Sequence, residues 1–288
     1  ALEEILKYPS LEEVVYVELD PEVVDLAEKY IPPPRRDFLK DPRLEIEYRD
    51  GRLYLQRTAR RYDVIIIDLP DPFTAQINRF YTREFYRLAR RRLRPGGVIC
   101  FGVTSSANYI SGELQSFIGC VNKTLEETFP AVTVIPGGSN YFIASGRKEY
   151  LTDDYRVLEE RIARRGLDLE YIRDYYLADR MSRERVDYLR EKLRRASDVR
   201  INTDFHPICY YYDMVFWSSY FAGERGGWFG EFLQRATGLR WWWFGAPVLL
   251  ALVIYPLLRR RKSRSRGGWV LWPVLTSGFS EIVFQVVI

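Results

Sequence analysis

An α/β fold built on a mostly parallel sheet is what the first 145 residues predict, and three observations predict it. The apolar or alternating runs VVYV, LEIEY and DVIII are short and are separated by helical stretches, which is the spacing of βα units. An acid stands where each run stops: Glu18, Asp50 and Asp68. The stretches AVTVIP and NYFIAS, joined across two glycines, predict an antiparallel pair at the end of the series. Open sheets bind ligands beyond the carboxyl ends of their strands, where these three acids fall. Carboxylates gathered there suit ribose hydroxyls, an adenine amino group and an amine.

Taken in order, ALEEILKY predicts a helix and VVYVEL a strand. PEVVDLAEKY follows as a helix, with Pro21 suited to a first helical turn. A proline-rich link precedes the strand LEIEY, and a short helix is expected after Gly51. The strand DVIIIDL leads through a polar loop to the helix TREFYRLARRRL. RPGG predicts a turn and VICFGV a buried strand, and the stretch from about Ser111 to Thr128 a helix. A run of βα units ending in a hairpin resembles the sheet of class I S-adenosylmethionine-dependent enzymes, Rossmann-like in kind.

Composition narrows the function classes. The net charge of +4 is spread among intermixed acids and bases, and the first two hundred residues hold no continuous basic face with interleaved aromatics. A nucleic-acid partner is therefore not expected. Cys100, Cys120 and Cys209 are far apart in sequence and form no ligand pair, so buried free thiols are expected and a metal is not.

Beyond the βα units the character changes. Residues 151–240 read as a charged helical extension and linker, with DDYRVLEERIARR and RERVDYLREKLRRA as amphipathic helices. INTDFH follows, where Thr203 or Asp204 can cap a turn and His206, the one histidine, reads as structural. Residues 241–288 predict transmembrane segments at about 241–258 and 269–288, with tryptophans at an interface and RRRKSRSR between them. A lipid bilayer is thus an expected partner and a multi-pass membrane protein the expected location.

The order Glu18, Asp50-Gly51, then Asp68-Leu-Pro-Asp71-Pro72 resembles the spermidine synthase family of polyamine aminopropyltransferases. The matching pieces are VELDPEVV, DPRLEIEYRDGRLYL, YDVIIIDLPDP, FYTREFYRLARRRLRPGG and, more faintly, INTDFH. The resemblance implies a catalytic domain over 1–150 that takes decarboxylated S-adenosylmethionine as co-substrate and transfers its aminopropyl group to putrescine or a related amine. It implies that Glu18 binds the ribose hydroxyls and Asp50 the adenine amino group, with Gly51 giving room for the ring. It makes Asp68 the catalytic aspartate that takes the amine proton and Asp71 an amine ligand, with Tyr141 a candidate for the tyrosine the family offers to the polyamine.

Three departures accompany it. The family's glycine-rich loop is expected just before Ala1, and with it the first strand of the sheet. TSSANYISGEL stands where the family carries a glutamine- and acid-bearing segment. The apolar tail looks like a membrane-fused branch, with the catalytic domain expected on the cytoplasmic side. Two other readings stay open: a methyltransferase using the same nucleoside pocket, and a non-catalytic polyamine- or nucleoside-sensing domain of a transporter. The oligomeric state is not set by the sequence.

Overall fold

Ten helices and six strands follow one another in a computed structural model that describes residues 1–32, 35–172 and 174–222. The chain opens with α1 (Leu2–Leu6), β1 (Val14–Glu18) and α2 (Pro21–Tyr30). The Asp20 carboxylate accepts the Glu22 amide at 3.0 Å and caps α2, with Pro21 at its first turn as expected. β2 (Leu44–Tyr48), α3 (Gly51–Arg57), β3 (Tyr62–Ile67), α4 (Ala75–Asn78), α5 (Arg83–Arg92) and β4 (Leu93–Thr104) complete the parallel portion. α6 (Gly112–Glu126), β5 (Ala131–Ile135) and β6 (Ser139–Ser145) close it with the expected hairpin. Then come α7 (Tyr155–Arg164), α8 (Asp174–Arg180), α9 (Arg183–Arg195) and α10 (Ile208–Ala222).

The strands form two ladders rather than one sheet. β1 pairs parallel with β2, Glu18 opposite Tyr48, while the second sheet runs β3-β4-β6-β5. β3 and β4 are parallel, and β6 is antiparallel to both β4 and β5. Among the described residues no ladder joins β1 to β3. RPGG does not separate helix from strand as expected: β4 begins at Leu93 and passes through it. Gly96 lies at φ 86°, a left-handed conformation that glycine tolerates, and the register against β3 shifts between Tyr62 and Val64. The turn is therefore a kink inside the strand.

Alternation along β4 decides which face is core. Ile99, Phe101 and Val103 point to one side and are almost wholly buried. Phe101 stacks between Tyr86 of α5 (5.7 Å between ring centres) and Phe142 of β6 (5.5 Å), with Tyr81 meeting its edge at 5.5 Å. The opposite face is thinner: Val64 and Ile66 of β3 are about half exposed.

α10 was not foreseen. Its sequence ICYYYDMVFWSSYFA is apolar on nearly every side, so no 3.6-residue stripe shows in it. It packs on α6, where Phe216 stacks on Phe117. Among the described residues no helix is long and apolar enough to cross a membrane, and the runs 241–258 and 269–288 lie outside the described residues.

Candidate active site

Parallel pairing places Glu18 and Asp50 together. Glu18 ends β1, and its carbonyl accepts the Arg49 amide at 2.9 Å, one residue before Asp50. Asp68 follows the last residue of β3 and is exposed. The Tyr16 phenol donates to Glu18 Oε2 at 2.7 Å. Burial, then Glu18, then Asp68 push that phenol up to about 12, so Glu18 and Asp68 act on one hydroxyl across the gap between the sheets. The three acids therefore stand along one rim.

Their surroundings differ. Glu18 Oε1 accepts the amides of Leu19 (2.8 Å) and Asp20 (3.1 Å), which with Tyr16 fills three of about four acceptor positions of a carboxylate. A diol could gain two bonds there only if Tyr16 turned away. Asp50 caps α3 through the Leu53 amide at 2.9 Å, and its other oxygen is paired with Arg79, whose guanidinium lies 4.9 Å from the centre of the Phe80 ring. The acceptor expected to meet an adenine amino group is thus held by a cation. Gly51 begins α3 with a Cβ position 3.6 Å from the Phe80 ring edge, an ordinary contact, so the backbone itself does not demand glycine there.

The loop bearing Asp71 is tied at both ends. Asp71 Oδ1 accepts the Thr104 amide at 2.9 Å, fastening the loop to the end of β4. The Tyr81 hydroxyl, wholly buried, donates toward the carbonyls of Pro70 (2.9 Å) and Leu69 (3.3 Å). Tyr81 also lies within electrostatic reach of Asp71, Asp213 and Asp68. Asp68 follows Ile67, which pairs with Phe101, so it lies beside Gly102 on β4, and Gly102 pairs with Tyr141 on β6. A Cβ on Gly102 would come 3.1 Å from the Tyr141 ring, so the missing side chain leaves room for that ring two strands, about 10 Å, from Asp68. Tyr141 is partly exposed and lies 5.1 Å under the Arg180 guanidinium. Arg180 in turn donates to the carbonyls of Pro136 and Ser139 and packs on Gly137, which holds α8 against the hairpin.

INTDFH proves to be a clamp. The Asn202 amide, fully buried, donates to Asn78 Oδ1 and to the Tyr81 carbonyl, each at 3.0 Å, and accepts the Cys209 amide at 3.2 Å. Its carbonyl accepts the Arg83 amide. Asp204 does not cap a turn: it pairs with Arg52 of α3 and accepts the Thr82 hydroxyl at 2.7 Å. Thr203 does hold the turn, accepting the His206 amide at 3.1 Å, and His206 itself is exposed. The segment thus seats Tyr81 and, through it, the acidic loop.

Sequence reasoning missed Asp213, an acid within the aromatic run YYYDMVFW that was its only signal. It is 1% exposed in α10. Burial and then the Asp71 carboxylate push it up to about 7, against the pull of the Trp217 indole.

Comparison with known proteins places the chain in a family. The chain resembles the polyamine aminopropyltransferase of Nitrosomonas europaea, 44% identical over 101 residues, which is 35% of this chain and 31% of that protein. It is 34% identical to that of Korarchaeum cryptofilum over 170 residues, 57% of this chain and 51% of the relative. The chain therefore spans between a third and about half the length of these two relatives. The crystal structure of spermidine synthase from Thermotoga maritima superposes with a TM-score of 0.51 at 26% identity, covering 67% of this chain and 64% of that one. The family model for the spermine/spermidine synthase domain matches residues 1–152, more than half the chain, so the protein belongs to that family.

Proposed function

We propose that the protein transfers an aminopropyl group from decarboxylated S-adenosylmethionine to putrescine or a related amine. The observation that carries this reading is the single acidic rim, with Glu18, Asp50 and Asp68 above parallel strand ends and Asp71 in the adjoining loop. Membership of the family supports it.

On this reading Glu18 binds the ribose and Asp50 the adenine amino group, which displaces Arg79. A primary amine is mostly protonated near neutral pH and must lose a proton before it attacks. Asp68, exposed at the mouth of the rim, accepts that proton. The freed nitrogen bonds to the carbon beside the sulfonium. The carbon–sulfur pair goes to sulfur, leaving neutral methylthioadenosine. Asp71 holds a second ammonium group, and the Tyr141 ring borders the amine channel. Alignment of this kind can supply on the order of 7 kcal/mol or more of the barrier. The residues required are acids, and the reaction as written needs no metal.

The catalytic unit on this reading is residues 1–150, carried on the cytoplasmic side of a membrane by the apolar runs near the end of the sequence. Protease accessibility in right-side-out and inverted vesicles tests that placement. For the chemistry, the full-length protein is incubated with donor and putrescine. Release of methylthioadenosine is expected, whereas release of S-adenosylhomocysteine indicates methyl transfer. Nucleoside binding without turnover of any amine indicates a sensing domain.

A further inference from the structure

Asp213 combines three properties that seldom meet. It is 99% buried by its 1% exposure, and neither carboxylate oxygen has a well-formed hydrogen bond among the described residues. Its helix is tied to the acidic loop: Asn202 joins the Cys209 amide of α10 to the Tyr81 carbonyl, and the Tyr81 hydroxyl holds Pro70, so Asp71 is the charged group that acts on Asp213. A buried carboxyl with no partner is costly when charged, so such groups stay neutral unless a cation comes near.

The groups near it come from the acidic loop, the segment between α4 and α5, and α10 itself. They are Asp71 in the loop after β3, Tyr81 between α4 and α5, and Cys209 and Trp217 on its own helix. Cys120 of α6 touches Cys209. Among the described residues no cation acts on Asp213. With no cation of the described residues acting on it, a ligand can bring the positive charge that settles beside Asp71 and reaches Asp213.

We propose that Asp213, buried and without a hydrogen bond among the described residues, is a third carboxylate of the amine site, a positioning residue that gives up its proton when a cationic amine is held beside Asp71. This rests on the reading of Asp71 as an amine ligand. The coupling is reciprocal: an ionised Asp213 strengthens the hold on the amine, and the bound amine favours ionisation. Up to one proton leaves Asp213 for solvent as the cation arrives, so charge and protons balance. The expected ligand is a di- or polyamine with one ammonium near Asp71. Burial keeps Asp213 from touching it, so it acts through the Asp71 and Tyr81 environment.

The test is putrescine binding to the full-length protein by calorimetry, in two buffers of different ionisation enthalpy, at about pH 6.5 and about pH 8. Near pH 6.5 a fractional proton is released per putrescine bound by the native protein and none by Asp213→Asn. Near pH 8, Asp213→Asn binds putrescine about tenfold more weakly, the equivalent of one pK unit of coupling, while the two proteins agree more closely at low pH. Trp217→Phe keeps the acid but removes the indole that favours its charged form, and moves the onset of tight binding to higher pH. This second variant serves if Asp213→Asn does not fold. Equal proton release in native protein and variants, putrescine binding without proton release, or no binding at all overturns the proposal. Proton-linked binding with no methylthioadenosine formed overturns aminopropyl transfer alone.

Discussion

Asp68 and Glu18 occupy the same rim and differ in what already holds them. No described amide or side chain is bonded to the Asp68 carboxylate, whereas Glu18 accepts two amides and a phenol. An acid left open to solvent at a strand end is placed to take a proton from an incoming amine. Asp68→Asn is expected to lower kcat at least about a hundredfold and to leave nucleoside affinity nearly unchanged, measured by turnover and by equilibrium binding. Glu18→Gln removes a charged acceptor and is expected to weaken nucleoside binding about tenfold, the size of one charge-assisted hydrogen bond. The same substitution leaves kcat at saturation within about twofold, because ribose contacts act mainly on binding. A silent Asp68→Asn in an active protein would end the catalytic assignment.

Elements are held in register here by a few buried and half-buried polar groups. Asn202 joins α4, the Tyr81 backbone and the start of α10, and Asp204 joins α3 to the start of α5. The hydroxyl of Tyr81 then fixes the loop that carries Asp71. Asn202→Ala strands the buried Cys209 amide and the Tyr81 carbonyl, at about 1–3 kcal/mol for each unsatisfied group. A total loss of about 2–5 kcal/mol is expected in urea unfolding, with a rise in amine KM because the loop loosens. Retained stability in that variant would show that the clamp does not hold the loop.

Across the whole molecule, a half-buried acid, Asp204, and a buried one, Asp213, pull stability in opposite directions with pH. Burial alone would raise the Asp204 carboxyl, but Arg52 and Thr82 outweigh it and hold it below the usual carboxylate range. Its stabilisation is present above the unfolded pKa and is lost as pH falls through the folded one. Asp213 is raised to about 7 by burial and by Asp71. Its contribution is complete below the ordinary carboxyl value and is lost as pH rises toward 7, by at most about 4 kcal/mol. Asp213→Asn is therefore expected to flatten the decline in stability between about pH 4 and pH 7, read from denaturant midpoints across that range. A variant less stable than the native protein at pH 8 would contradict a buried, raised carboxyl.

The order of the strands and of most helices through residue 145, the closing hairpin and the strand-end places of Glu18, Asp50 and Asp68 were legible in the sequence. Period and strand-end position are local properties of a chain, and parallel pairing turns strand ends into one rim. Three things were not legible. Arg79 reaches Asp50 across 29 positions of chain, Asn202 reaches Tyr81 across 121, and Asp213 comes beside Asp71 from the far end of the domain. Such partners depend on which elements pack together. The helix that carries Asp213 hid even its periodicity, being apolar on nearly every side. Sequence alone determined where acids stand along the strands, and only the tertiary structure decided which acids are open, which are bridged and which one is buried with no hydrogen bond among the described residues.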